Sequence, residues 1–268
     1  MSRKIALGIL LGTLLVLGVI VALQDKKPDE GFTLVPLRQL AGEGPAAINQ
    51  FLARAVPAGD MDEAAFGKMM KFQYTLAGDT TDRRYRLVNQ VLGSLIPFTD
   101  KPFKYHAFVR NASYPNAFAC PGGVLVITSA LLDSMHSEAE LAGVLAHELG
   151  HVEMGHCFAM VKFRLAASKV GARTLGALAD AVVNILQKSS FNQNQEVEAD
   201  AYAWQMMLKS NYDLYGLSDL FSRLGSQGKR TFGTTHPPSS MRQAEYREKA
   251  EAWYDQHADV QRLKREMP

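Results

Sequence analysis

The chain has 268 residues, with 29 basic against 27 acidic side chains for a formal net charge of +2, and only 7 histidines and 2 cysteines. That length accommodates one good-sized catalytic domain plus an accessory segment, with a core that need not be marginal. A balanced charge, with no Lys/Arg stripe interleaved with aromatics, argues against nucleic acid as a partner.

Ile5 to Leu23 is a run of 19 uncharged, mostly aliphatic residues behind Met-Ser-Arg-Lys, long enough to cross a bilayer as a helix. A cleaved signal peptide fits less well, because its apolar core usually spans about 7 to 15 residues and Ile20-Val21-Ala22 is a poor small-x-small cleavage site. No cysteine stands directly after the run, the first being Cys120, so a lipoprotein anchor is closed. Arg3 and Lys4 favour a cytoplasmic amino end, against a weaker opposing pull from Lys26 and Lys27. The expectation is a single anchor in a bacterial inner membrane with the remainder in the periplasm; release into the periplasm after signal cleavage is the alternative. Residues 1–30 read as anchor and polar linker, 31–71 as a helical lead-in, 72–254 as the main domain and 255–268 as a solvated tail.

Helices are predicted over 45–54, 62–76 and 81–95, the last with Tyr85, Val88, Val91, Leu92 and Leu95 at helical spacing. Strands are predicted over 103–110 and, behind the Pro121-Gly122-Gly123 turn, over 123–128. Ser137 with Glu140 three residues on is a capping box for the helix that follows. From Phe158 to Gln187 apolar residues recur at helical period, while Lys162, Arg164, Lys169, Arg173 and Asp180 argue against a second span. Its apolar face serves either the core, or a membrane surface or protein partner. Further helices are predicted over 196–208, after a loop at 211–216, and over 241–249, the last charged and solvated. Cys120 and Cys157 either pair in an oxidising compartment or stay as inert, partly buried thiols.

Residues 147 to 151 read His-Glu-Leu-Gly-His. On a helix His147 and His151 are one turn apart and share a face, so both imidazoles can hold one tetrahedral Zn²⁺. Glu148, rotated by about 100°, is poorly placed as a ligand and well placed to take a proton from a water at the metal. A catalytic zinc needs a third protein ligand, for which Glu196 is the best candidate. Asp200, four residues on, can hydrogen-bond a ligand imidazole from behind, whereas Glu198 points elsewhere. His236, in a Pro-rich irregular stretch, either donates to an oxyanion or binds zinc in a resting state. Arg242 either binds a carboxylate in the site or faces solvent. His106 and His156 read as packing or surface residues, His156 because nine residues past His147 falls on another helix face.

Four stations in order carry a resemblance: Asn116-Ala117-Phe118-Ala119-Cys120-Pro121-Gly122-Gly123; Glu140-Leu141-Ala142 leading into His147–His151; Glu196 to Asp200; and Thr235-His236-Pro237 with Arg242. Over roughly residues 72–254 the chain resembles the zinc metallopeptidases that include the CAAX prenyl endopeptidases, the HtpX heat-shock protease and the membrane-anchored quality-control proteases of mitochondria and the bacterial periplasm. The resemblance implies an α+β zincin-type domain, mostly helical, with a small sheet whose edge strand borders the cleft. It implies one Zn²⁺ per chain held by His147, His151 and Glu196, with Glu148 as general base, Asp200 behind a ligand, and His236 and Arg242 near the oxyanion. It also implies an edge strand at Asn116, Ala117, Gly123 and Val124 that pairs with extended polypeptide substrates. The expected activity is endoproteolysis of unfolded or extended segments in envelope quality control. The rival readings are a latched or chaperone-like peptide-binding module, and a structural zinc domain presenting residues 158–187 to a partner; an intact Glu148 argues against both.

Overall fold

The computed structural model describes residues 62–77, 81–168, 175–188, 190–226, 236, 240–262 and 266–267. The chain divides into two compact units, Met1–Ile48 and Asn49–Pro268, and all of these residues belong to the second. The apolar run at 5–23 and the helix expected at 45–54 lie outside them. No described helix is long and apolar enough to cross a membrane.

The order of elements is α1 (Glu63–Ala77), α2 (Arg83–Leu95), β1 (His106–Arg110), β2 (Ala117–Cys120), β3 (Val124–Thr128), the short α3 (Ser129–Leu132), α4 (Glu138–Glu153), α5 (His156–Ser168), α6 (Leu175–Lys188), α7 (Gln193–Lys209), α8 (Gly216–Ser226) and α9 (Ser240–Gln256). The class is α+β, mostly helical around a three-stranded sheet of order β1-β3-β2, with β1 parallel and β2 antiparallel to β3. The β2–β3 connection runs through Gly122 (φ +77°) and Gly123 (φ +90°), left-handed conformations that L side chains avoid. Gly122 also lies so close to α1 that a Cβ there would meet Gly67 Cα at 2.5 Å.

This topology corrects the expected substrate edge. Gly123 and Val124 open the central strand, where Val124 is paired with His106 on one side and Cys120 on the other. The edges are β1 and β2, and Asn116 and Ala117 lie just before and at the start of β2, which the sequence pattern gave no separate strand. Asn116 is also engaged, its main-chain N–H donating to Thr128 Oγ1 (2.8 Å) and its carbonyl accepting from Thr128 N (2.9 Å). Because inward and outward main-chain groups alternate along an antiparallel strand, Ala117 and Ala119 turn theirs away from β3.

Helix α4 is the centre of the fold. Ser137 caps it, its Oγ accepting from Glu140 N (3.3 Å). The other half of the expected capping box is shifted by one residue, since the Glu140 carboxylate accepts from His136 N (2.9 Å). Its small and aliphatic residues, from Glu138 to Val152, are all buried, because α7, α8, α2, α5 and the sheet surround it. Gly150 lets α7 approach closely: a Cβ at that position would sit 2.9 Å from Ala199 Cα. The helix stops at Glu153, and Gly155 (φ +74°) turns the chain into α5.

The amphipathic 158–187 segment resolves into α5 and α6, which pack on each other, on β2 and, for α6, on α1. Val161, Leu178, Val182 and Leu186 are buried there, the core-facing reading rather than a partner face. Cys120 and Cys157 are both free and fully buried. Burial first, and the charge of Glu148 second, push both thiols up from their ordinary pKa. Part of the expected solvated tail is docked: Arg262 donates to the carbonyls of Met207, Leu208 and Tyr212 at 2.7–2.9 Å, and Met267 N donates to His136 O (3.0 Å).

Candidate active site

Helices α4 and α7 cross so that His147 and His151, one turn apart on α4, face Glu196 in the first turn of α7. That turn is fixed by a capping box the sequence carried unnoticed: Asn192 Oδ1 accepts from Gln195 N (3.0 Å) while Gln195 Oε1 accepts from Asn192 N (3.1 Å). His236 joins from a later segment. One ligand atom from each of His147, His151, Glu196 and His236 lies within 4.8 Å of all the others, and all four residues are buried.

The spacing of these atoms suits a tetrahedral ion. His147 Nε2 is 3.1 Å from His151 Nε2 and 3.2 Å from His236 Nδ1; His236 Nδ1 is 3.0 Å from Glu196 Oε1; the carboxylate is 3.6 Å from each of the first two imidazoles. Ligand bonds of about 2.0–2.1 Å in a tetrahedron give edges of about 3.3 Å. Four lone-pair donors at such separations, with three imidazoles and one carboxylate, fit zinc in both geometry and donor type.

The supporting contacts differ from ligand to ligand. His147 Nδ1 lies 2.9 Å from Asp200 Oδ1, the arrangement expected for Asp200. Arg242 is spent on carboxylates: Nε and Nη2 donate to the two oxygens of Asp200 (2.6 and 2.5 Å) and Nη1 donates to Glu196 Oε2 (2.6 Å). Of the two readings of Arg242, a carboxylate in the site or solvent, the contacts match the first. Tyr246 OH donates to Asp200 O (2.6 Å), so α9, expected to be solvated, also braces α7. Phe191 stacks on His151 with centroids 3.8 Å apart and planes 17° apart. Glu198 and His156 both belong to the surroundings of the site: His156 Nδ1 is 3.1 Å from His151 Nδ1, and its Nε2 is 2.8 Å from Glu198 Oε2. The continuous-helix reading missed this because α4 ends before His156. His106 sits apart from the cluster, against Lys71.

Glu148 is 1% exposed, with Oε1 3.2 Å from His236 Nε2. Burial alone would raise its pKa, but His236, followed by His147 and His151, holds it below the ordinary carboxylate value. Glu196 is likewise held far down, burial being overruled by its contacts with His151 and His236. For His236 burial opposes charge, yet Glu148 and Glu196 lift it to about 10. Burial instead drives His151 down to about 3, so it is neutral, the form in which an imidazole binds a metal.

Residues 80–250 match the profile described as Peptidase family M48. The chain belongs to this family of zinc-dependent metalloproteases. Metalloprotease YcaL of Escherichia coli K12 is 30% identical over 184 residues, 62% of this chain and 69% of that protein. Metalloprotease LoiP of the same organism is 29% identical over 187 residues, 63% and 71% of the respective chains. The beta-barrel assembly-enhancing protease of Yersinia pestis is 29% identical over 170 residues, 54% of this chain but only 34% of that longer protein.

Proposed function

We propose that this metalloprotease is an endopeptidase of bacterial envelope quality control, tethered to the inner membrane by residues 5–23 with its catalytic domain in the periplasm, and acting on unfolded or extended protein segments. The apolar run behind Arg3 and Lys4 supports the tether, and similarity to a protease named for assembly of β-barrels supports the setting. The observation that carries the enzymatic reading is the convergence of His147, His151 and Glu196 with Glu148 beside them.

In this reading His147, His151 and Glu196 hold the zinc. When bound, zinc lowers the pKa of a water towards neutrality and polarises the scissile carbonyl. Glu148, ionised, accepts the water's proton and passes it to the departing amine. Asp200 holds the His147 ring, and Arg242 fixes Asp200 and Glu196 together. His236 Nδ1, 3.2 Å from His147 Nε2 and 3.0 Å from Glu196 Oε1, would take a ligand position that a catalytic zinc needs for water, so in this reading its neutral imidazole is a resting-state latch that would have to leave before turnover. The main-chain groups of Ala117 and Ala119 face away from β3 but are buried, at 1% and 2% exposure, so an extended substrate can add to the β2 edge only once that edge is uncovered; pairing there would read backbone rather than side chains and so suit unfolded polypeptide. A binding module with no catalysis has no use for a buried carboxylate at Glu148.

Casein cleavage by the full chain tests the reading. Glu148→Gln should keep its zinc and lose about 10²–10⁴-fold in kcat; equal rates for the two proteins would sink the enzymatic assignment. His236→Ala should keep zinc and raise basal cleavage. A fall in cleavage there would make His236 a catalyst instead of a latch.

A further inference from the structure

The two imidazoles of the zinc helix are supported in different ways. His147 is backed by the carboxylate of Asp200, whereas the Nδ1 of His151 faces another imidazole. Gly155 turns the chain after α4, so that His156, the first residue of α5, comes back against the helix it has just left. The His151 and His156 rings then sit 5.2 Å apart at 64°, with their Nδ1 atoms 3.1 Å apart. Beyond them, His156 Nε2 is 2.8 Å from Glu198 Oε2 on α7. Phe191 covers the face of the His151 ring, leaving tilt within the ring plane to be fixed by whatever holds Nδ1.

The protons in this chain have one consistent order. His151 Nε2 turns towards His147 and Glu196, so its lone pair serves the metal and its hydrogen is on Nδ1. That N–H donates to His156 Nδ1. His156 then carries its own hydrogen on Nε2 and donates it to a carboxylate oxygen of Glu198. The opposite tautomer of His156 would set two N–H groups head to head and turn a lone pair towards the carboxylate.

We propose that His156 and Glu198 are positioning residues for zinc: a His151–His156–Glu198 relay that fixes the tautomer and orientation of one ligand. The proposal rests on His151 being a ligand. Its far end is unlike the Asp200 support, because the Glu198 side chain is 57% exposed while Asp200 is 13% exposed. Zinc retention is thereby tied to a surface carboxylate.

The test is zinc affinity by chelator competition on the full chain, with absorption of the cobalt-substituted protein reporting the ligand field. His151→Ala should abolish tight binding. His156→Ala should weaken it about 10–100-fold, and His156→Asn, whose Oδ1 replaces Nδ1 as acceptor, should recover most of that loss and the wild-type cobalt spectrum. Glu198→Ala, at the surface, should cost about threefold with an unchanged melting temperature for the metal-free protein. Wild-type affinity in His156→Ala, or no recovery in His156→Asn relative to His156→Ala, overturns the relay while leaving His151 as ligand. Unchanged affinity in Glu198→Ala removes the carboxylate from it. Tight zinc in His151→Ala overturns the ligand assignment and the relay with it.

Discussion

Replacing Gly150 by alanine tests how tightly the site depends on the α4–α7 crossing. Intrinsic propensity alone would stabilise α4 by about 1 kcal/mol. The new Cβ would however stand 2.9 Å from Ala199 Cα, 3.0 Å from Ala199 O and 3.2 Å from Tyr202 Cβ, against 3.4 Å for ordinary contact. The nearest two of these are backbone atoms, so no rotamer change relieves them. Helix α7 must retreat by about half an ångström, an overpacking cost of about 1–3 kcal/mol. Glu196 lies one turn before Ala199 and moves with it, while zinc ligands tolerate displacements of about 0.2 Å. The expected result is a net loss of about 0–2 kcal/mol in urea unfolding of the metal-free protein and a fall in zinc affinity of about tenfold or more by chelator competition. An alanine variant as stable as wild type and with equal affinity for zinc would refute the rigid-crossing argument.

Arg242→Met should leave the half-buried Asp200 without its counter-ion and buried Glu196 with His236 alone, costing the metal-free protein about 1–3 kcal/mol; zinc, by neutralising Glu196, should restore part of that, which unfolding with and without metal will show. Acid should destabilise the metal-free protein in two stages. His151, driven down to about 3 from an ordinary 6.5, contributes stability that is complete above the unfolded value and drains away as pH falls from 6.5 towards 3. Glu196 and Asp200, both depressed, add a second loss as pH falls below about 4.5. His236 works the other way, its raised value stabilising the fold below 6.5 and withdrawing that help as pH rises through about 10. Urea midpoints that rise as pH falls from 6.5 to 3 would contradict these signs.

Features set by local geometry were readable from the chain. His147, Glu148 and His151 are related by helix pitch alone, as are Glu196 and Asp200, and the structure brings the two groups together at the cluster. What escaped depended on where elements end or how distant ones meet. His156 was placed by extending α4 past Glu153, although Gly155 carries the usual sign of a helix end. Glu198 does point away from the ligand group, but towards His156, a partner 42 residues distant. The strand β2 is four residues long and half alanine, too short for alternation to register, and its edge position follows from the parallel β1–β3 pairing that no local pattern encodes. Arg242 was identified as a site residue, yet which carboxylates would claim it depended on the docking of α9.

Helix α4 has no solvent face over fifteen consecutive residues. A genetic screen for lost proteolysis will therefore recover alleles in this helix whose first effect is on packing, since each side chain there meets neighbours on every side. Null phenotypes in Glu138–Val152 report on folding as readily as on chemistry. An inactive form for capturing substrates in cells should accordingly be built by Glu148→Gln, which keeps volume and shape, and should first be shown to retain metal and to melt with the wild-type protein.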